Sequence, residues 1–163
     1  MNYQGTLLAV RDMQRSIRFY CDLLGLSVSA DYGANVSLSG GIFLQTVESW
    51  REFIHKTDEE ITLPHHAGEL YFDEADMDAF LRRLEAWPDI RYVHPLKEHR
   101  WGQRVVRFYD PDGHIVEVGE ELLMVAGRFY NSGMTPEQVS VRMDVPLDHV
   151  VQWLKTEETK DQN

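Results

Sequence analysis

Hydrophobic positions along this chain keep two periods, the alternation of a strand and the three-to-four spacing of a helix. GTLLAV (5–10) reads as a strand, and Asp12 is placed to cap a helix over MQRSIRFYCDLLG. Met13, Ile17, Tyr20 and Leu24 fall at helical spacing there, and Gly25 is a natural stop. SVSADYG (27–33) and NVSLS (35–39) follow as strands, with Gly40-Gly41 turning the chain into IFLQTVE (42–48). The polar stretch 49–67 predicts a short helix and a linker. GELYFDE (68–74) is the next strand, and Asp76 caps MDAFLRRLEAW, whose stripe is Met77, Phe80, Leu81 and Leu84 and whose stop is Pro88. IRYVH (90–94) predicts a strand and PLKEHRWGQ a loop. RVVRFYDPDGHIVEVGE then carries two strands around the turn Asp110-Pro111-Asp112-Gly113.

The second half repeats the first. GTLLAVRDMQRSI lies over ELYFDEADMDAFL without a gap, setting Gly5 on Glu69, Asp12 on Asp76 and Met13 on Met77. IFLQTVE lies over HIVEVGE, with Gln45 opposite Glu117. The expected fold is α+β: two βαβββ modules, 1–48 and 68–122, joined by the linker 49–67. Neither module buries its sheet alone, so the pair is expected to form one curved, cup-like mixed sheet with helices outside. Residues 123–163 predict a C-terminal helical hairpin. Thr135-Pro136-Glu137-Gln138 is a capping box with proline at the first helical position, and Asp144 and Pro146 precede a second helix carrying Val150, Val151 and Leu154.

Composition narrows the partners. The 163 residues are 43% hydrophobic and 26% charged with a net charge of −11, which argues for a soluble globular protein and against nucleic acid or an anionic membrane as partner. The tail has the spacing of a helix-turn-helix, but PLDHVVQWLK offers one lysine, one aspartate and no arginine for phosphate contacts. Cys21 is the single cysteine, so no internal disulfide forms, and its bland reading is a small buried hydrophobe. No signal peptide and no apolar run approaching about 18 residues is present, so a cytoplasmic location is expected.

The candidate chemistry starts from a misplaced charge. Ile115, Glu117 and Gly119 share one face of the last strand, with a carboxylate at the centre of a segment otherwise suited to burial. VRDMQRSIRFYCDLLGL near the start and RFYDPDGHIVEVGE near the end, in register across a repeat, resemble the vicinal oxygen chelate superfamily over residues 3 to about 122. That superfamily includes glyoxalase I, the bleomycin and fosfomycin resistance proteins and the extradiol dioxygenases. The resemblance implies a cup in which a metal meets vicinal substrate oxygens, with ligand positions on the first and fourth strands of each module. Those positions are Gly5, Gln45, Glu69 and Glu117. Gly5 has no side chain, so the implied metal set is Gln45, Glu69 and Glu117. This all-oxygen set suits Mg²⁺, Mn²⁺ or Ca²⁺ by ligand hardness, with Ni²⁺ and Zn²⁺ as the other divalent candidates. The two-histidine iron site of an extradiol dioxygenase has no counterpart.

The resemblance thus implies a glyoxalase-like lyase or isomerase in which Glu117 or Glu69 moves a proton. The alternative is a metal-free binding or sequestration protein of the bleomycin-resistance type, and a third reading is a ligand-sensing regulator acting through the tail. His65-His66 precedes Glu69 and could replace the ligand missing at Gly5, or be an exposed linker pair. In KEHRWGQR (97–104), Trp101 could stack on a planar substrate and Arg100 or Arg104 clamp a carboxylate or phosphate; the bland reading is a solvated loop anchored by Trp101. His114, opposite Glu117 across the strand, reads as a packing or hydrogen-bonding residue. A homodimer is what the resemblance implies about assembly.

Overall fold

The computed structural model describes residues 1–160, with side chains described to Thr156. The first sheet is built from β1 (Thr6–Val10), β2 (Val28–Asp31), β3 (Asn35–Leu38) and β4 (Ile42–Thr46), in the order β1-β4-β3-β2. β1 runs parallel to β4 with Thr6 opposite Ile42, and β3 runs antiparallel to β4 with Asn35 opposite Gln45. A parallel neighbour needs a long crossover, which the helix α1 (Met13–Arg18) and the two following strands supply. As its sequence predicts, Asp12 caps α1, accepting from the Arg15 N–H at 3.0 Å. The helix loosens into a π turn over Phe19–Leu23 and ends where the N–H of Gly25 (φ 74°) reaches the Cys21 carbonyl at 3.1 Å.

The second sheet repeats this order. β5 (Glu69–Glu74), β6 (Arg91–Glu98), β7 (Arg104–Tyr109) and β8 (Ile115–Glu120) lie as β5-β8-β7-β6, with α3 (Met77–Ala86) after β5. Asp76 caps α3 through the Ala79 N–H at 2.9 Å. This is the α+β arrangement of two βαβββ modules. β8 is buried along all six residues, as expected of an inner strand covered on both faces.

Three elements differ from the sequence expectation. Residues 47 and 48 open a helix, α2 (Val47–Ile54), instead of ending β4. The Ser49 hydroxyl bonds the Thr46 carbonyl at 3.1 Å, a local turn that competes with strand continuation. β6 runs through Pro95 to Glu98 where a loop was expected, and it is an edge strand, where proline's missing N–H is tolerated. The tail holds three helices among the described residues: α4 (Leu122–Asn131), α5 (Pro136–Met143) and α6 (Leu147–Lys160). α4 starts directly after β8 at Glu121, which makes no side-chain cap bond, so it carries no sequence start signal. α4 to α6 share a core of Val125, Ala126, Phe129, Val139, Met143 and Val150. The Thr135 capping box with Gln138 and Pro136 forms as expected. No helix among the described residues is long and apolar enough to cross a membrane.

The chain divides into two compact units that do not coincide with the two sheets. One comprises residues 1–70, 83–91 and 109–115, and the other residues 71–82, 92–108 and the described residues from Val116 onward.

Candidate functional site

In the first unit, the turn predicted at Asp110-Gly113 is built around one carboxylate. Asp110 Oδ1 accepts from the backbone N–H groups of Asp112, Gly113 and His114 at 2.9, 2.7 and 2.8 Å, and Oδ2 accepts from the Tyr20 hydroxyl at 2.8 Å. Burial pushes the Asp110 carboxyl above its ordinary range, although its hydrogen bonds and His114 act the other way. Burial and the neighbouring Asp110 push Tyr20 up as well, so the phenol stays a donor. Asp112 accepts from the Arg11 N–H at 3.1 Å and the Ser16 hydroxyl at 3.4 Å. The turn therefore ties residues near 110 to α1 and the end of β1, and with them aims His114.

His114 is buried, and its Nε2 lies 3.0 Å from the Ala9 carbonyl. A carbonyl only accepts, so Nε2 carries the proton and Nδ1 is an acceptor in the neutral ring. The His65 ring meets His114 edge-on at 6.2 Å. Both histidines line a cavity of about 440 Å³ within this unit. Its walls are largely apolar: Leu7 and Ala9 of β1, Trp50 and Ile54 of α2, and Ile61 and Leu63 beyond it. Glu69, at the start of β5, adds a carboxylate to the lining and is exposed. Of the residues expected to act, this cavity thus holds Glu69 and His65; Trp50, Leu63 and His114 join without having been anticipated as lining.

The implied metal positions of the first unit are otherwise committed. Gln45 is buried, its amide accepting from Asn35 at 2.7 Å and donating to the Ser49 hydroxyl. At Gly5, a Cβ would lie 1.8 Å from the Gly41 carbonyl oxygen, so the backbones cross where a ligand side chain would have to start.

In the second unit Glu117 is buried in the middle of β8, with 8% of its side chain exposed, and forms an ion pair with Arg107 of β7. An Arg107 Nη1 donates to His94 Nε2 at 3.2 Å, which leaves the His94 Nδ1–H to donate to the Pro95 carbonyl at 2.8 Å. Glu117, Arg107 and His94 form a polar row across β8, β7 and β6. Arg107 was not singled out from sequence, although RVVRFY carries two arginines three residues apart, Arg104 and Arg107, and IVEVGE two glutamates at the same spacing, Glu117 and Glu120.

The loop expected to contact substrate is built into the same unit. Arg104 donates to Asp78 at 2.7 Å and to Glu120 at 3.0 Å. Arg128 also holds Glu120, at 3.0 Å, and the Gly102 carbonyl at 2.6 Å. Burial acts to raise the Glu120 carboxyl, but hydrogen bonds from Arg104 and Arg128 outweigh it and leave the group below its ordinary range. Arg100 pairs with Asp144 at 3.2 Å in an exposed bridge. Trp101 donates to the Gln103 side chain at 3.1 Å and stacks on His99 with centroids 4.4 Å apart. Burial, with Arg107 close by, holds His99 below its usual value and so neutral at pH 7.

Three of the expected metal positions are otherwise engaged within their own units. Gly5 offers no ligand, the Gln45 oxygen has a donor, and Glu117 already faces a guanidinium. Among the described residues no three His, Cys, Asp or Glu side chains come together to hold a metal.

Comparison with known proteins agrees with the fold. A family model described as a glyoxalase-like domain matches residues 3–123. A solved structure of a protein of unknown function from Agrobacterium tumefaciens str. C58 is 40% identical over 74% of this chain and 94% of that one, with a TM-score of 0.66. A lactoylglutathione lyase from Agrobacterium tumefaciens is 26% identical, covers 75% of this chain and 95% of that one, and has a TM-score of 0.52. A glyoxalase-related enzyme from Fulvimarina pelagi shares the fold at 21% identity, with 76% and 90% coverage and a TM-score of 0.62. No curated protein matches the chain. The repeated βαβββ order and the match over most of its length place the chain in the glyoxalase-like domain family of the vicinal oxygen chelate superfamily.

Proposed function

We propose that this protein binds a small organic molecule in the cavity of its first unit without a metal chelate. The observation that carries this reading is the cavity itself. At about 440 Å³ it falls within the volume usual for small-molecule sites, with a mainly apolar lining and a minority of polar residues, among them Glu60, His65, Glu69 and His114, the usual division between affinity and orientation. The ligand class it favours has an apolar body and one or two hydrogen-bonding groups, which Glu69 and the histidines would orient. The ion pair at Glu117 supports a metal-free mode, because a guanidinium already supplies the positive charge that the family's chelate places there.

A second reading is favoured by the likeness to a lactoylglutathione lyase: proton transfer by Glu69 or Glu117 on a vicinal-oxygen substrate, assisted by a divalent metal. That reading requires Glu117 to leave Arg107. The two part in one experiment. Hydrophobic small molecules carrying hydroxyl or carbonyl groups are screened by thermal shift with and without chelator, and hits are titrated against Ile54→Trp, which fills the cavity from its exposed rim. Binding that survives chelation and weakens at least about tenfold in Ile54→Trp, a methylene-scale clash or more, is the expected outcome. Metal-dependent turnover of a hemithioacetal, abolished by Glu117→Gln, would replace this reading with the lyase.

A further inference from the structure

A second cavity in the first unit, of about 230 Å³, has a chemistry unlike the rest of this acidic chain. Three arginines border it: Arg15 and Arg18 from α1 and Arg91 from the start of β6. Its aromatic walls are Phe19, Trp87 and Tyr109. Phe19 and Trp87 meet edge-on with centroids 6.4 Å apart, and the Arg91 guanidinium lies 5.2 Å from the Tyr109 ring centre.

The charges here are not compensated in the way they are elsewhere. Arg11, Arg51, Arg100, Arg104, Arg107 and Arg128 each pair with a carboxylate, whereas among the described residues Arg15 and Arg18 form no ion pair. Two carboxylates border the cavity, Asp89 and Asp110. Asp110 is buried and its oxygens are spent on Tyr20 and three backbone N–H groups. Among the described residues Arg91 forms no ion pair, and its hydrogen bond goes to the Asp110 backbone carbonyl, at 3.5 Å. That leaves three guanidiniums against the single exposed carboxylate of Asp89.

We infer that this cavity is a second ligand site, for a small aromatic molecule carrying a phosphate or carboxylate. Guanidiniums present planar N–H forks that match such oxyanions. Aromatic walls receive a ring at their faces and edges. The volume sets the size: it is below the range of about 300 Å³ and upward usual for larger organic ligands, so the fit is one ring and one anionic group. The site is built from residues 15–19, 87–91 and 109–111 and shares no lining residue with the larger cavity, so it is independent of the proposed function.

Phenyl phosphate is the probe, with phenol supplying the ring alone and inorganic phosphate the anion alone. The readout is the Trp87 indole N–H resonance in the full-length protein, assigned with Trp87→Phe. The expected result is a saturable shift at phenyl phosphate concentrations of about 1 mM or below, with phenol and phosphate each at least about tenfold weaker. The double variant Arg15→Ala/Arg18→Ala, which alters exposed side chains, should weaken binding at least about tenfold, and added salt should weaken the wild type. No shift at Trp87, a shift undiminished in the double variant, or saturation first at the Trp50 indole would each overturn the inference.

Discussion

A carboxylate at the centre of a buried strand is costly unless something answers its charge. At Glu117 the answer is Arg107, one strand away, itself held by His94. Removing one partner leaves the other charged and desolvated, whereas removing both leaves two neutral groups of similar size. Arg107→Met should therefore lower unfolding free energy by about 2–4 kcal/mol, somewhat reduced because Arg107 is partly exposed, and adding Glu117→Gln should recover most of the loss. Urea denaturation of the two single variants and the double closes this cycle. A double variant as unstable as the sum of the singles would show that the two residues do not answer one another. Glu117 was legible in the sequence as an anomaly; RVVRFY offered two cations, Arg104 and Arg107, and strand pairing decides which of them lies beside it.

At the scale of elements, one residue ties the end of β8 to its surroundings. Glu120 accepts from Arg104 of β7 and Arg128 of α4, and Arg104 also reaches Asp78 of α3. Its folded-state pKa is lowered despite burial, below the unfolded value of about 4.3. The stabilisation is thus complete above that unfolded value and is lost as pH falls through the folded-state value. Glu120→Gln should cost about 2–4 kcal/mol at pH 7 and lose less further stability than wild type on acidification below about pH 4.5. Melting curves from pH 7 to pH 3 check both parts, and parallel acid profiles for the two proteins would contradict the assignment. Caps and turns were readable in advance: Asp12, Asp76 and Thr135 do what their positions announce. α4 was not, because Glu121 at its start makes no side-chain cap bond and the helix owes its burial to packing with α5 and α6.

For the whole molecule, the question is whether a divalent ion belongs to the native state. A ligand held only by the folded chain raises the melting temperature by mass action. With the implied positions at Gly5, Gln45 and Glu117 filled by backbone, amide pairing and Arg107, the melting temperature should stay within about 1 °C on adding EDTA, Mn²⁺, Ni²⁺ or Zn²⁺. A stoichiometric metal with a shift of several degrees, lost in Glu117→Gln, would reopen the chelate mechanism. Periodicity, caps and turn residues act over a few neighbouring positions, so the sequence by itself determined the doubled βαβββ order, the Asp110 turn and the family. Charge pairing and cavities bring together residues far apart in the chain. Only the tertiary structure decided that Arg107 lies on Glu117, that His114 bonds Ala9, and that Arg15, Arg18 and Arg91 border one cavity.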